Sequence, residues 1–568
     1  MTARARDGER PPIVPKNIEE SSSLPKLVGH SSDMGFAITT SSVSSASDLA
    51  ERASTLSDPS LLRATSASLL IRYVGSILRT SSGNASTYSM SEEVTNIDEF
   101  FSHNWISSAF MKFLVLSIHF NLKNAICVEA FLAVTLSVLT AMEWVPMLHP
   151  SYEDKPYPFF GHLLCFPCFL VVLFCLRDIP CTCLKGPKVF LDKVCIHQTD
   201  KEKQKKGIES LAAVICSSKQ LTIAYTPMYF RKLWTVYETA ATLTMNPRAS
   251  IKVLTQFGAW FLLQVATVLW MYHAFADLAP PGTSHNVVTV LIVFCLWLLY
   301  YSSRKWAIHR SSIRNIVNKF DIRAAHCYVE SDRALVENNV EAFMRYQYEL
   351  GEGVDRGTVL DLFNELVKSK LPACMGSALD NGFTLGLPLS HVFASVAAAL
   401  MGSSADDVSL LLHQVFHPHD VGPRDFLPEG VTEQNLPAYV CFRLVENFLI
   451  WPILLVVVML CAGVCRARGP LLAFLLGLVT ACSAIGGWTI QHVMWRMYLS
   501  DESMGVLFSY ISFYVLLALV FAYWLWKNMK RVLPYSDGDA RELALAEDHA
   551  MIRAYLQGTT TEIDQTMV

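Results

Sequence analysis

The stretch VVTVLIVFCLWLLYY, residues 287–301, contains no charged side chain. A helix that is apolar on every face has nowhere to turn towards water, so it belongs inside a large core or a lipid bilayer. The run is not alone. Comparable apolar segments fall at roughly 124–144, 159–176, 257–277, 286–302, 445–464, 470–490 and 505–526, each near the length of about 20 residues that a membrane crossing needs. The composition agrees: 52% of the 568 residues are hydrophobic and 17% are charged, against about 25% charged in soluble domains. A multi-pass α-helical membrane protein is expected. The 15 cysteines are odd in number, and many lie in apolar runs, which argues against a disulfide framework. The net charge of −4 gives no reason to expect a nucleic-acid partner.

Lysines and arginines near span ends set orientation. Between the second and third spans lie Lys185, Lys188, Lys193, Lys201, Lys203, Lys205, Lys206, Arg231 and Lys232, and after the fourth come Arg304, Lys305, Arg310 and Arg314. The connectors 145–158 and 279–285 carry only Lys155. The expected orientation places the N-terminus in the cytosol. Seven spans would leave Arg466, Arg468, Lys527, Lys530 and Arg531 outside. An eighth span over 383–401 (FTLGLPLSHVFASVAAALM) would return them to the cytosol, with the acidic segment 402–442 as an outer loop. Seven and eight spans both remain open. Residues 1–91 hold 21 serines and no long apolar run, which predicts a disordered cytosolic tail; residues 527–568 form a second tail.

Three cytosolic pieces remain, at 95–123, 178–256 and 303–382. The last reads as helical, with one helix over 333–348 and another capped by Thr358 with Val359, Leu362, Phe363 and Leu366 on its apolar face. In the first two, DEFFSHNW, KVFLD and KQLTIAY read as short strands, alternating with helix-period stretches. That alternation predicts a parallel sheet with helices on its faces, split by the first two spans.

The blocks FFSH and SSKQLTIAYTPMYFRKLWTVYE resemble the Toll/interleukin-1 receptor (TIR) domain. The matching positions are Ser218, Leu221 to Ala224, Thr226, Tyr229, Trp234 and Glu238; Thr235 and Thr239 stand where the family carries Cys and Leu. The blocks FFSHNW, FLDKVCIHQ and YFRKLWTVYE also resemble those of a family of multi-pass membrane proteins in unicellular eukaryotes. The TIR resemblance implies signalling by self-association or by recruiting a TIR-like partner. In members that cleave NAD, it implies a catalytic acid at Glu238, with Trp234 shaping the pocket and His103 at the ligand site; NAD is then substrate and no cofactor is implied. Asp192 and Asp200 flank the second strand and its loop, where the resemblance implies contact with partners or nucleotide. A channel or transporter with a regulatory cytosolic module is the rival class.

Other residues carry weaker expectations. KEKQKK (201–206) suits either anionic lipid or plain solvation, and Cys181 and Cys183 suit S-palmitoylation. No metal site is expected: Cys165 and Cys168 lie inside a span, and His413, His417 and His419 lie in an irregular stretch without a further fixed ligand. Glu129 and Glu143 are expected to reach the interface from the ends of span one, and Arg443 and Glu446 to pair at i, i+3.

Overall fold

A computed structural model describes residues 58–147, 158–179, 184–226, 228–278, 285–327, 330–374, 387–417 and 434–464, with a few single positions besides. Its organising element is a six-stranded sheet: β1 (Arg63–Ser66), β2 (Glu92–Glu93), β3 (Ile97–Ser102), β4 (Lys188–Phe190), β5 (Ser218–Tyr225) and β6 (Ser250–Thr255), in the order β2-β1-β4-β3-β5-β6. The four strands β4, β3, β5 and β6 are parallel; β1 and β2 add antiparallel at one edge. Phe100 pairs with Phe190 on one side and Leu221 on the other, and the Phe100 and Phe190 rings stack at 4.8 Å. Leu221 to Tyr225 are all buried, because a parallel strand is covered on both faces. Taken in chain order, the parallel strands lie second, first, third, fourth, which is the doubly wound arrangement whose ligand crevice opens between the first and third strands.

Residues 58–91 depart from the disordered tail expected of them. Among the serines, Leu62, Ala64, Ala67, Leu70, Ile71 and Leu78 are buried. They sit on or beside β1 and on α1 (Ala67–Gly75) with the turn that follows it, and α1 packs against the first long helix. The serines also find partners: Ser91 accepts from Arg63 Nε at 2.8 Å and donates to the Tyr88 carbonyl at 2.7 Å.

The candidate membrane-spanning helices grow out of the sheet. After β3 comes α2 (Ala109–Ala141), 33 residues or about 50 Å long, well beyond the roughly 30 Å of a hydrocarbon core. Its first turns serve the module, with Phe113, Leu114, Val115 and Leu116 buried, while Phe131 and Val134 further along are exposed. The chain returns as α3 (Phe160–Cys175). A polar latch closes the base of this hairpin: Asn121 Nδ2 donates to the Leu173 carbonyl at 2.9 Å, and Arg177 Nε donates to Asn121 Oδ1 at 2.9 Å. The module resumes with α4 (Lys201–Glu209), α5 (Leu211–Cys216) and α6 (Leu233–Met245). At its far edge β6 runs without a break into α7 (Gln256–Leu278).

Among the described residues, five helical stretches are long and apolar enough to cross a membrane: Ala109–Ala141, Phe160–Asp178, Gln256–Ala274, Leu389–Phe416 and Leu436–Met459. The uncharged run 287–301 lies within α8 (His285–Asn318). The helices expected in 303–382 are α9 (Glu330–Tyr348) and α10 (Arg356–Cys374). Val359, Leu362, Phe363 and Leu366 are buried as expected, but the capping side chain is Asp355, whose carboxylate accepts from Thr358 N at 3.0 Å.

The 383–401 candidate becomes α11 (Leu389–Phe416). It runs on through Asp406 and Asp407, which the sequence reading assigned to an outer loop. Both acids are buried because each has a specific partner: Asp406 accepts from Gly161 N at 2.8 Å and His162 N at 2.7 Å, and Asp407 from Arg443 Nε at 3.1 Å. The last described stretch is α12 (Leu436–Val445), one π turn (Glu446–Ile450) and α13 (Trp451–Val464). Apart from five positions in the first, the runs 470–490 and 505–526 and the C-terminal tail lie outside the described residues, as do Cys181, Cys183 and His419.

Candidate functional site

The parallel strands end together on one edge, and the polar residues of the module gather there. β3 ends in Ser102, followed by His103; β4 is followed by Asp192; β5 by Thr226. Helix α6 brings Glu238 to the same place. The Ser102 hydroxyl donates to Glu238 Oε2, and its oxygen shares a further hydrogen bond with the Tyr229 hydroxyl. Glu238 thus ends a chain Tyr229–Ser102–Glu238 spanning the first and third parallel strands, at the switch point where doubly wound sheets hold ligands.

Around this chain, the Trp105 indole donates to Asp192 Oδ2 at 2.9 Å. His103 stacks on Phe101 at 5.0 Å and meets Trp105 edge-on at 4.4 Å. Its Nε2 is buried without a hydrogen-bond partner among the described residues. Lys112, wholly buried, places its ammonium 4.9 Å from the Trp105 ring. Lys193 Nζ donates to the Ile77 and Thr80 carbonyls at 3.0 and 2.9 Å, which fastens the N-terminal segment over β4.

Burial sets the protonation of the two central groups. It pushes Glu238 up to about 8, against the Ser102 bond that favours the charged form, with Asp192 adding to the rise. Burial pushes His103 down to about 4, partly opposed by Asp192. At neutral pH the edge therefore holds a largely protonated acid beside a neutral imidazole. An enclosed acid titrating near neutrality is suited to proton exchange with a bound molecule.

The opposite shifts have opposite consequences for stability. The folded chain keeps on Glu238 a proton that the unfolded chain releases above about 4.5, so this contribution is lost as pH rises towards 8. His103 must gain a proton on unfolding below 6.5, so its contribution is lost as pH falls towards 4. Between pH 6.5 and 8 the Glu238 slope acts alone of the two. Glu238→Gln, which mimics the protonated acid, should therefore melt increasingly above wild type as pH rises from 4.5 to 8. A melting difference that stays flat across this range would show that Glu238 is not held protonated.

Of the residues expected at the site, His103, Asp192 and Glu238 meet at the strand ends. Trp234 takes partners elsewhere: its indole donates to Asp332 Oδ2 on α9 at 3.2 Å, and its ring meets Tyr237 edge-on at 5.7 Å. Residues four apart on one helical face can still reach different neighbours, and α9 claims Trp234. Asp200 caps α4, accepting from Glu202 N and Lys203 N at 3.1 Å. Lys205 and Lys206 pair with Glu209 and Glu202 on the exposed face of that helix. Sequence reasoning missed Ser102, Tyr229, Trp105 and Lys112 as site residues. The one signal for Lys112 was a lone ammonium inside the apolar stretch that follows FFSHNW.

A second polar cluster lies among the candidate spanning helices. Arg443 Nη1 donates to Glu446 Oε2 at 3.0 Å, the expected i, i+3 pair, and its Nε reaches Asp407. Asn447 Nδ2 bonds the Ser404 and Ser403 hydroxyls at 2.9 and 3.3 Å. Glu129 departs from its expected interfacial place: it lies two-thirds of the way along α2, fully buried. Small residues let α3 and α11 approach this closely: Gly161 and Gly402 face each other backbone to backbone.

No protein-family model, curated protein or solved structure matches the chain.

Proposed function

We propose that this chain is an integral membrane protein that signals through a TIR-like α/β module on the cytosolic side of its membrane helices. The observation that carries the reading is continuity. The first crossover helix of the sheet, α2, is also the first candidate span, and the last strand, β6, passes directly into another at Thr255–Gln256. One apolar core runs from the sheet residues Phe100 and Ile223 through Phe261 of α7 to Val396 of α11 and Met459 of α13. A module tethered for convenience would sit on a flexible linker. Here a shift of the membrane helices has a packed route to the strand ends. The strand order and the meeting of Ser102, His103 and Glu238 support the TIR-like reading, beside the blocks that resemble that family.

Such a module works by assembling with a second copy or by cleaving NAD. The direction of Glu238 favours assembly. Its carboxyl is bonded inward to Ser102, and burial keeps it largely protonated, whereas stabilising an oxocarbenium-like ribose calls for an ionised acid facing the ligand. The NAD-cleaving reading draws support from the same acid, which sits at the switch point with a shifted pKa. The purified full-length chain in nanodiscs separates the two. Crosslinking between cytosolic modules, without nicotinamide release from added NAD, is the expected result. Nicotinamide release by wild type that disappears in Glu238→Ala would make the protein an NAD hydrolase. The absence of both crosslinking and release would refute the signalling reading.

A further inference from the structure

We propose that Glu143, His413 and His417 form a transition-metal site of the zinc class, at the end of the helix bundle away from the sheet. The three residues come from two candidate spans. Helix α2 starts beside the sheet and ends at Ala141, and Glu143 follows it with a left-handed φ of 62°, a conformation that non-glycine residues seldom adopt. This reversal turns the carboxylate back towards α11. His413 lies in the last turn of α11, and His417 is its C-terminal cap. At i and i+4 the two imidazoles share one face of the helix, with ring centroids 4.7 Å apart.

The geometry is that of a ligand set. His413 Nε2 lies 3.1 Å from Glu143 Oε1, and one donor atom from each residue falls within 4.8 Å of the others. Ligands bound tetrahedrally to zinc at about 2.0–2.1 Å stand roughly 3.3 Å apart, so small side-chain rotations close the set. Two imidazoles and a carboxylate suit zinc, whose sites with three protein ligands leave the fourth position to water. The sequence reading rejected this histidine cluster for want of a third fixed ligand. Glu143 supplies it from 270 positions away, and His413 and His417 lie on an ordered helix end.

Binding would join the far end of α2 to the far end of α11. The site stands independently of what the sheet-edge residues do, and Cys165 and Cys168 have no part in it.

The test uses the full-length chain in detergent, stripped of metal and titrated with Co²⁺, whose visible absorption reports tetrahedral binding, followed by displacement with Zn²⁺. One equivalent of Co²⁺ displaced by Zn²⁺ is expected. His413→Ala and His417→Ala should each weaken binding on the order of 100-fold and Glu143→Gln roughly tenfold, while Cys165→Ser with Cys168→Ser leaves it unchanged. Glu143 is exposed, so Glu143→Gln serves as the variant that keeps the fold, checked by an unchanged melting temperature without metal. No bound equivalent in wild type, or an equivalent that survives with wild-type affinity when Glu143→Gln, His413→Ala and His417→Ala are combined, would overturn the site.

Discussion

Gly402→Val is expected to prevent the bundle of long apolar helices from assembling. A Cβ at Gly402 would lie 2.8 Å from the Gly161 carbonyl carbon and 2.9 Å from the His162 Cα, and nearer still to the Gly161 carbonyl oxygen. All of these are backbone atoms of α3, so no rotamer change relieves the clash and the two helices must part. Parting them breaks more than packing. Asp406, one turn along α11, holds the amides of Gly161 and His162 at the N-terminus of α3, where a carboxylate satisfies donors that the helix cannot. Ser137 of α2 bonds the Ala405 carbonyl at 2.9 Å and would keep only the Ala133 carbonyl of its own helix. Overpacking alone costs about 1–3 kcal/mol, and the stranded amides and carboxylate raise the loss beyond that range. Gly351→Ala is the matched control, since a Cβ there meets nothing within 4 Å. Size-exclusion profiles and melting curves of the two purified variants decide the matter. A monodisperse Gly402→Val protein melting with wild type would mean that α3 and α11 do not cross at these glycines.

Such a crossing was beyond reach of the sequence, and the reason is general. The apolar runs were legible because a bilayer demands about 20 such residues in succession. The strands FFSH, KVF and LTIAY were legible because parallel strands buried on both faces read as short apolar bursts. What pairs distant segments carries no such local mark. The folded part of the N-terminal segment hid its six buried apolar side chains among serines, which local composition reads as solvent-facing. Helix α11 was misplaced because Asp406 and Asp407 look like loop acids until Gly161 and Arg443 are beside them. The candidate site was legible only where residue type and strand end coincide, as for His103 and Asp192, and where the TIR-like block marks Glu238. Ser102 and Tyr229, ordinary in sequence, became site residues because the strand order sets them against Glu238.

Arg443→Leu should destabilise the bundle by about 3–5 kcal/mol, the cost of removing one partner from a buried ion pair. The guanidinium sits between two acids, Asp407 Oδ2 at 3.1 Å and Glu446 Oε2 at 3.0 Å, and both are almost fully buried, with side-chain exposures of 2% and 1%. Leucine matches the surroundings in polarity but leaves two carboxyl groups together without a cation. They must then take up protons or separate, and Glu446 opens the π turn that leads into α13. The prediction discriminates between two roles for the cluster. An ion pathway would keep its carboxylates open to exchange, whereas here one arginine ties both acids across α11 and α12. Replacing the whole set, as Asp407→Asn with Arg443→Met and Glu446→Gln, should recover much of the lost stability, because a neutral set leaves no unmatched charge. Melting of the single and triple variants in one detergent provides the measurement. If Arg443→Leu melts with wild type, the guanidinium is not what holds α11 to α12. If the triple variant falls as far as the single one, the loss comes from packing around Arg443 and not from the stranded acids.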